Sequence, residues 1–248
     1  MNFIPFLTQA RGKGLLVGGH RGHSSHIREN TIDNFAQLLA TPEIRYIEID
    51  VQLTRDGQTV IYHDAELSLQ TDLAGMIRDY TLAELRTHFM INTVDEAVAW
   101  CKEQNMGIAF EIKLQPRTMW DDRIPVVNAL VDVIRKYDFY EMCFVFGKDY
   151  EMLSMIKEKS PQTHIGLIAP FIPKDAPALM RDMDAFLYLN FVDQLSKELV
   201  DQLHSMGCLV DGSVVNTEED LRKALELGVD MIESDHPQRI LEALRRMQ

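Results

Sequence analysis

Glu48 and Asp50 stand two residues apart in the apolar run Tyr46-Ile47-Glu48-Ile49-Asp50-Val51. In a strand, side chains at i and i+2 share a face, so both acids point one way while Ile47 and Ile49 point the other. Two neighbouring carboxylates repel, and taking both out of water is costly unless a positive charge lies between them. A divalent cation meets that need, and hard oxygen ligands suit Mg²⁺ or Ca²⁺. A lone Glu-x-Asp on a solvated edge strand needs no metal, so the reading depends on what else the chain brings to the same place.

Three further stretches bring matching chemistry. His20-Arg21 ends the apolar run Leu15-Leu16-Val17-Gly18-Gly19. His63-Asp64 follows Thr59–Tyr62, which an Asp56-Gly57 turn folds back against the Glu48 strand. Glu111-Ile112-Lys113 repeats the i, i+2 pattern, with two ionisable residues on one face and an isoleucine on the other. Glu48, Asp50 and Glu111 make a three-carboxylate oxygen site that water or substrate oxygens would complete. Arg21 supplies a planar fork and Lys113 a point charge, a pair suited to phosphate. His20 and His63 suit a general acid and a general base near neutral pH. Together they point to metal-assisted phosphoryl transfer with acid–base help.

The elements that must position these groups alternate strand and helix. Strands are expected at 15–19, 45–50, 107–112, 142–146, 164–168, 185–189, 208–211 and 230–233. Helices are expected at 32–39, where Asn30-Thr31 offers a cap, and at 92–104, 124–137, 149–159, 175–183, 196–206, 217–227 and 237–247. Eight β-α units in 248 residues imply parallel strands, right-handed crossovers and a (β/α)₈ TIM barrel. No glycine-rich dinucleotide fingerprint favours an open doubly wound sheet. Residues 65–91 break the rhythm and read as a small insertion after the second strand, with at most one short helix, inside a single domain spanning 1–248. In such a barrel the active site lies at the C-terminal ends of the strands, where all seven candidates fall.

Composition narrows the rest. The net charge of −13, from 25 basic and 38 acidic residues, argues against nucleic acid and against a broad basic face for anionic membranes. It leaves room for a small anionic substrate, because a local cation and two basic side chains act at short range. Cys101, Cys143 and Cys208 are too scattered for a disulfide framework or a metal knuckle. The leader Met1-Asn2-Phe3-Ile4-Pro5-Phe6-Leu7 has the wrong charge order for a signal peptide, and no run reaches membrane-spanning length. A cytoplasmic protein without stable membrane insertion is expected; its oligomeric state is not encoded legibly.

The set His20-Arg21-Gly22, Glu29-Asn30-Thr31, Glu48-Ile49-Asp50, Asp56-Gly57, His63-Asp64 and Glu111-Ile112-Lys113 resembles the glycerophosphodiester phosphodiesterase family. Gly228-Val229-Asp230 and Ser234-Asp235-His236-Pro237 are similar to its closing motif, so the resemblance spans nearly the whole chain. It implies a TIM barrel with an insertion after strand two, and hydrolysis of glycerophosphodiesters to glycerol 3-phosphate and an alcohol. On the matching positions it implies metal binding by Glu48, Asp50 and Glu111, phosphate binding by Arg21 and Lys113, and proton transfer by His20 and His63. Attack by the glycerol 2-hydroxyl through a cyclic phosphate and direct attack by water both fit these residues.

Two positions depart from that pattern. Arg28 replaces the usual proline, and Ser213-Val214-Val215-Asn216 replaces Trp-Thr-Val-Asn, removing an aromatic wall. The second change keeps other substrates in view: phosphoinositides, lysophospholipids or polymeric glycerol phosphates. A non-catalytic metal- or phosphodiester-binding barrel is disfavoured by the two histidines, which binding alone does not need. His23 and His26 read as solvated loop residues and Arg28 as exposed. His88, His164 and His204 fall outside the rim, and His236 reads as a helix cap. Tyr188, Asn190 and Asp211 are candidate pocket residues.

Overall fold

The computed structural model describes residues 2–12, 14–113 and 123–247. In chain order its strands are β1 (Leu16–Gly19), β2 (Tyr46–Leu53), β3 (Thr59–Ile61), β4 (Gly107–Ile112), β5 (Cys143–Gly147), β6 (His164–Ile168), β7 (Leu187–Leu189), β8 (Leu209–Asp211) and β9 (Met231–Ser234). Eight of them pair in parallel, and β1 bonds to both β9 and β2, which closes the ring. The remaining strand, β3, pairs antiparallel with β2 outside the ring. This is a (β/α)₈ barrel. Helices α1 (Phe3–Ala10), α2 (Ile32–Phe35), α3 (Leu82–His88), α4 (Val94–Gln104), α5 (Arg123–Tyr137), α6 (Tyr150–Lys159), α7 (Ala176–Asp182), α8 (Lys197–Ser205), α9 (Glu218–Leu227) and α10 (Pro237–Met247) supply the crossovers and two additions.

The period-two pattern of the strands divides the core in two. Ile47, Ile49 and Val51 face outward into the layer beneath the helices. Tyr46 faces inward with Phe144, Leu187, Leu209 and Met231 and fills the lower barrel. Helix starts are fixed locally: Thr93 caps α4 while Glu96 returns a bond to the Thr93 N–H, and Thr81 and Glu84 do the same for α3.

The N-terminal stretch, expected from sequence only as a short leader, is helix α1, and it seals the bottom of the barrel. Phe3, Ile4 and Leu7 are buried, and the Phe3 ring stacks on Tyr46 at 5.3 Å between centroids. A Cβ on Gly107 would lie 2.4 Å from the Phe3 ring, so only glycine admits the plug. Eight residues are too short a window for periodicity to reveal; the burial is tertiary. The expected helix 32–39 is one α-turn followed by a 3₁₀ segment, Ala36–Ala40. Residues 65–91 hold two 3₁₀ turns and α3, packed over a small core of Val60, Tyr62, Leu67, Ile77, Leu85 and Ile91. No helix among the described residues is long and apolar enough to cross a membrane.

Candidate active site

The inward face of β2 continues above Tyr46 with Glu48 and Asp50, 1% and 0% exposed. Asp50 stands directly beside Glu111 in the β2–β4 register, so the two acids share a level of the barrel. Ligand atoms of Glu48, Asp50 and Glu111 lie within 4.8 Å of one another. The trio predicted from spacing is thus assembled by strand register. Gly18 on β1 makes room for the Tyr46 ring below the trio: a Cβ there would lie 2.2 Å from that ring, whose hydroxyl donates to the Ile232 carbonyl at 2.9 Å.

Positive groups surround the trio. Lys113 Nζ lies 2.5 Å from Asp50 Oδ1 and 2.9 Å from Glu111 Oε2. Arg21 Nε lies 3.5 Å from Asp50 Oδ2, and its Nη1 donates to Glu29 at 3.2 Å. The backbone of Arg21 is left-handed, with φ 54°, which directs its N–H onto Glu48 Oε2 at 3.0 Å. Asn30, also left-handed, donates its amide to Asp50 Oδ2 at 2.7 Å. Burial, then the charges of Asp50 and Glu111, push the Glu48 carboxyl well above its ordinary range. Burial works against the Asp50 carboxylate as well, but Lys113, Arg21 and His63 outweigh it and hold that group low. Lys113, despite burial, is pushed up to about 12 by Asp50, Glu111 and Glu48.

The residues fit a cation. Glu48 Oε1 is buried without any hydrogen-bond donor, an arrangement that costs stability unless something positive reaches it. A hard divalent ion held by Glu48, Asp50 and Glu111 would satisfy that oxygen.

Both predicted imidazoles reach the rim, each with one nitrogen tied down. His20 Nδ1 lies 2.6 Å from Asp235 Oδ1, and His63 Nδ1 lies 2.8 Å from Asp64 Oδ1. The Nε2 atoms are thereby the ones presented for chemistry. Gln52, on the Glu48–Asp50 face of β2, donates to the carbonyls of Tyr62, His63 and Asp64 and holds the return strand in place. Asn216 donates to Asp235 Oδ2 at 2.5 Å and accepts from the Asp235 N–H, so the segments that follow β8 and β9 brace His20 together. The bond to His20 is the largest influence on the Asp235 carboxyl and, with Asn216, lowers it against the opposing effect of burial.

All seven predicted residues except Asp50 line one cavity of about 280 Å³ or its rim, together with Phe146, Lys148, Asn190, Ser213 and Glu233. Asp50 lies just behind, within the carboxylate trio. A second, more open cavity of about 490 Å³ adjoins it through His20 and Arg21 and includes His23, His26, Arg28 and Gln70. His23 and His26 therefore stand beside the site rather than apart from it. Arg28 is not exposed: its guanidinium lies 4.4 Å from the Phe89 ring centre and 5.2 Å from that of Tyr62. Among the other candidates, Tyr188 faces the helix layer, and Asp211 is buried behind Ser213. His164 packs on Phe186, His204 bonds Asp230 at 2.8 Å, and His88 lies near Asp72, all away from the cavity.

Asp235, Asn216, Gln52, Asn30 and Glu233 escaped the sequence reading as site residues. Gln52 carried a signal in continuing the 48, 50, 52 face of one strand, and Asn30, Asn216 and Asp235 stood in motifs quoted for the resemblance without a role of their own. Glu233 sits on β9, 3% exposed, and its carboxyl is raised well above the ordinary range by burial, then by Asp211 and Glu48.

A model of the glycerophosphoryl diester phosphodiesterase family matches residues 20–239. A glycerophosphodiester phosphodiesterase of Caldanaerobacter subterraneus is 26% identical, covering 93% of this chain and 98% of its own. The solved structure of an Oleispira antarctica phosphodiesterase, in complex with the product sn-glycerol-3-phosphate, is 27% identical, covers 92% of this chain and 96% of its own, and has a TM-score of 0.82. A Silicibacter pomeroyi structure at 23% identity and TM-score 0.87, covering 94% of each chain, shares the fold.

Proposed function

The chain belongs to the glycerophosphoryl diester phosphodiesterase family, and from that premise we propose that it hydrolyses glycerophosphodiesters to sn-glycerol 3-phosphate and an alcohol, using one bound Mg²⁺ or Ca²⁺. The observation that carries this reading is the meeting of a three-carboxylate cluster with two imidazoles, each anchored at Nδ1 by a carboxylate. The product held by the Oleispira antarctica relative supports the choice of glycerol 3-phosphate.

Glu48, Asp50 and Glu111 would hold the cation, which would offset their charge and that of the phosphate and so favour attack at phosphorus. Arg21 and Lys113 neutralise and orient the phosphate oxygens, the guanidinium as a fork and the ammonium as a point charge. One of the two imidazoles takes the proton of the attacking hydroxyl at Nε2. The other gives its Nε2 proton to the departing alkoxide, so a neutral alcohol leaves. Attack by water yields the monoester directly; attack by the glycerol 2-hydroxyl yields a cyclic phosphate that water then opens. The smaller cavity suits the constant glycerol moiety and the larger, open one the variable alcohol. A cytoplasmic setting belongs to this reading and is supported by three buried, free cysteines.

Substitution of the two imidazoles tests the assignment. His20→Ala and His63→Ala should each lower kcat on glycerophosphocholine by roughly 10²–10⁴-fold, with cation binding retained. Unchanged turnover in either variant removes that residue from the mechanism.

A further inference from the structure

The larger cavity holds a cation that the metal and acid–base chemistry does not use. Arg28 lines its wall together with His20, Arg21, Glu29, Gln70 and Asp235. Both acids in that group are committed elsewhere. Glu29 Oε1 accepts from Arg21 and from Gln70, each at 3.2 Å. Asp235 is paired with His20 and accepts from Asn216. Among the described residues no carboxylate pairs with Arg28, and its buried Nη2 makes no well-formed hydrogen bond.

The guanidinium is held in place. It lies against the Phe89 and Tyr62 rings, which themselves meet at 5.9 Å between centroids. Thr31 Oγ1 donates to the Arg28 carbonyl at 2.7 Å, and Thr31 is the cap that starts α2. The ring faces attract the charge without compensating it. The Tyr62 hydroxyl stays neutral, because burial raises it above its ordinary value, so it does not compensate the charge either. Proline, which the family pattern has at this position, carries no charge at all.

A fixed guanidinium without an acid partner favours an anion that accepts its N–H groups in a fork. A cationic head group is disfavoured, since Arg28 repels it and already covers the ring faces that would hold it. A neutral alcohol gains only an ordinary hydrogen bond. The scissile phosphate is not the anion in question, because it belongs beside Arg21, Lys113 and the carboxylate trio. We propose that Arg28 is a specificity-determining residue that binds an acidic group on the leaving alcohol, so that glycerophosphodiesters carrying a second anionic group are preferred. The proposal rests on the glycerophosphodiesterase reading and extends it to the alcohol.

The test compares kcat/KM for glycerophosphoglycerol, whose alcohol is neutral, with that for two anionic analogues. One is its terminal phosphate monoester and the other is glycerophosphoglycerate, whose alcohol carries a carboxylate. A hydrogen bond to a charged group is worth about ten- to hundredfold, so the wild type should prefer the anionic compounds by that factor. The larger of the two preferences identifies the acidic group as phosphate or carboxylate. Arg28→Gln should bring the ratios towards one, chiefly through KM, and Arg28→Lys, which keeps the charge without the fork, should retain part of them. A merely structural Arg28 would lower turnover of all three compounds alike. Thermal melts control for folding, and the Lys variant reports the ratios if the Gln variant fails to fold. No preference for either anionic compound in the wild type, or ratios unchanged on substitution, overturns the proposal while leaving the glycerophosphodiesterase reading in place. Turnover of none of the three by the wild type removes that reading and the proposal with it.

Discussion

His20 and Asp235 lie 215 positions apart in the chain, and their side chains meet at 2.6 Å. The contact joins the first strand of the barrel to the last and selects the imidazole nitrogen that faces the cavity. Asp235→Ala should therefore lower kcat by about 10–100-fold, the scale typical of lost supporting contacts, with KM and cation binding little altered. Steady-state kinetics alongside cation titration checks this. The carboxyl of Asp235 is depressed in the folded chain, so its contribution to stability is present above the ordinary carboxylate range and is lost as pH falls through the folded value.

Cation binding should report on the buried carboxylates directly. Millimolar Mg²⁺ or Ca²⁺ should raise the melting temperature of the wild type, since an ion that binds only the folded chain stabilises it by mass action. Glu48→Gln should abolish that rise. An equal rise in the variant would place the cation elsewhere.

Asp211 predicts a pH dependence of stability. Its carboxyl is raised from 3.8 to about 7, by burial first and then by Asp230, with Ser213 opposing. Between those values the unfolded chain has released the proton and the folded chain retains it, so stability falls as pH rises from about 4 to about 7. Asp211→Asn should flatten that part of the profile in urea unfolding midpoints measured across the range.

The bottom plug is a stability feature separate from the site. Phe3 is 3% exposed and packs on Tyr46, so Phe3→Ala should cost about 3–5 kcal/mol. Tyr46 lies directly below Glu48 on the inward face of β2, so a loosened plug should also weaken cation affinity, which the same melts with and without ion would show.

The carboxylate cluster of the candidate site was legible in the sequence because its signal is local. Glu48, Asp50, Glu111 and Lys113 advertise a shared face through i, i+2 spacing, and the barrel follows from eight repeats of strand and helix. Asp235, Asn216 and Glu233 lacked such a signal, because each acquires its role from a partner on another strand. Helix α1 was missed for the same reason: its apolar residues matter only once the barrel bottom exists to receive them. Arg28, an ordinary charged loop residue by sequence, is placed by two aromatic rings, Phe89 from beyond α3 and Tyr62 after β3.

Cation-dependent hydrolysis of a glycerophosphodiester is measured most directly as release of glycerol 3-phosphate from glycerophosphocholine and glycerophosphoethanolamine. Turnover should occur with Mg²⁺ or Ca²⁺ and stop with chelator. Absence of turnover on both substrates by protein shown to bind the cation, or turnover undiminished by chelator, would rule out cation-dependent glycerophosphodiester hydrolysis.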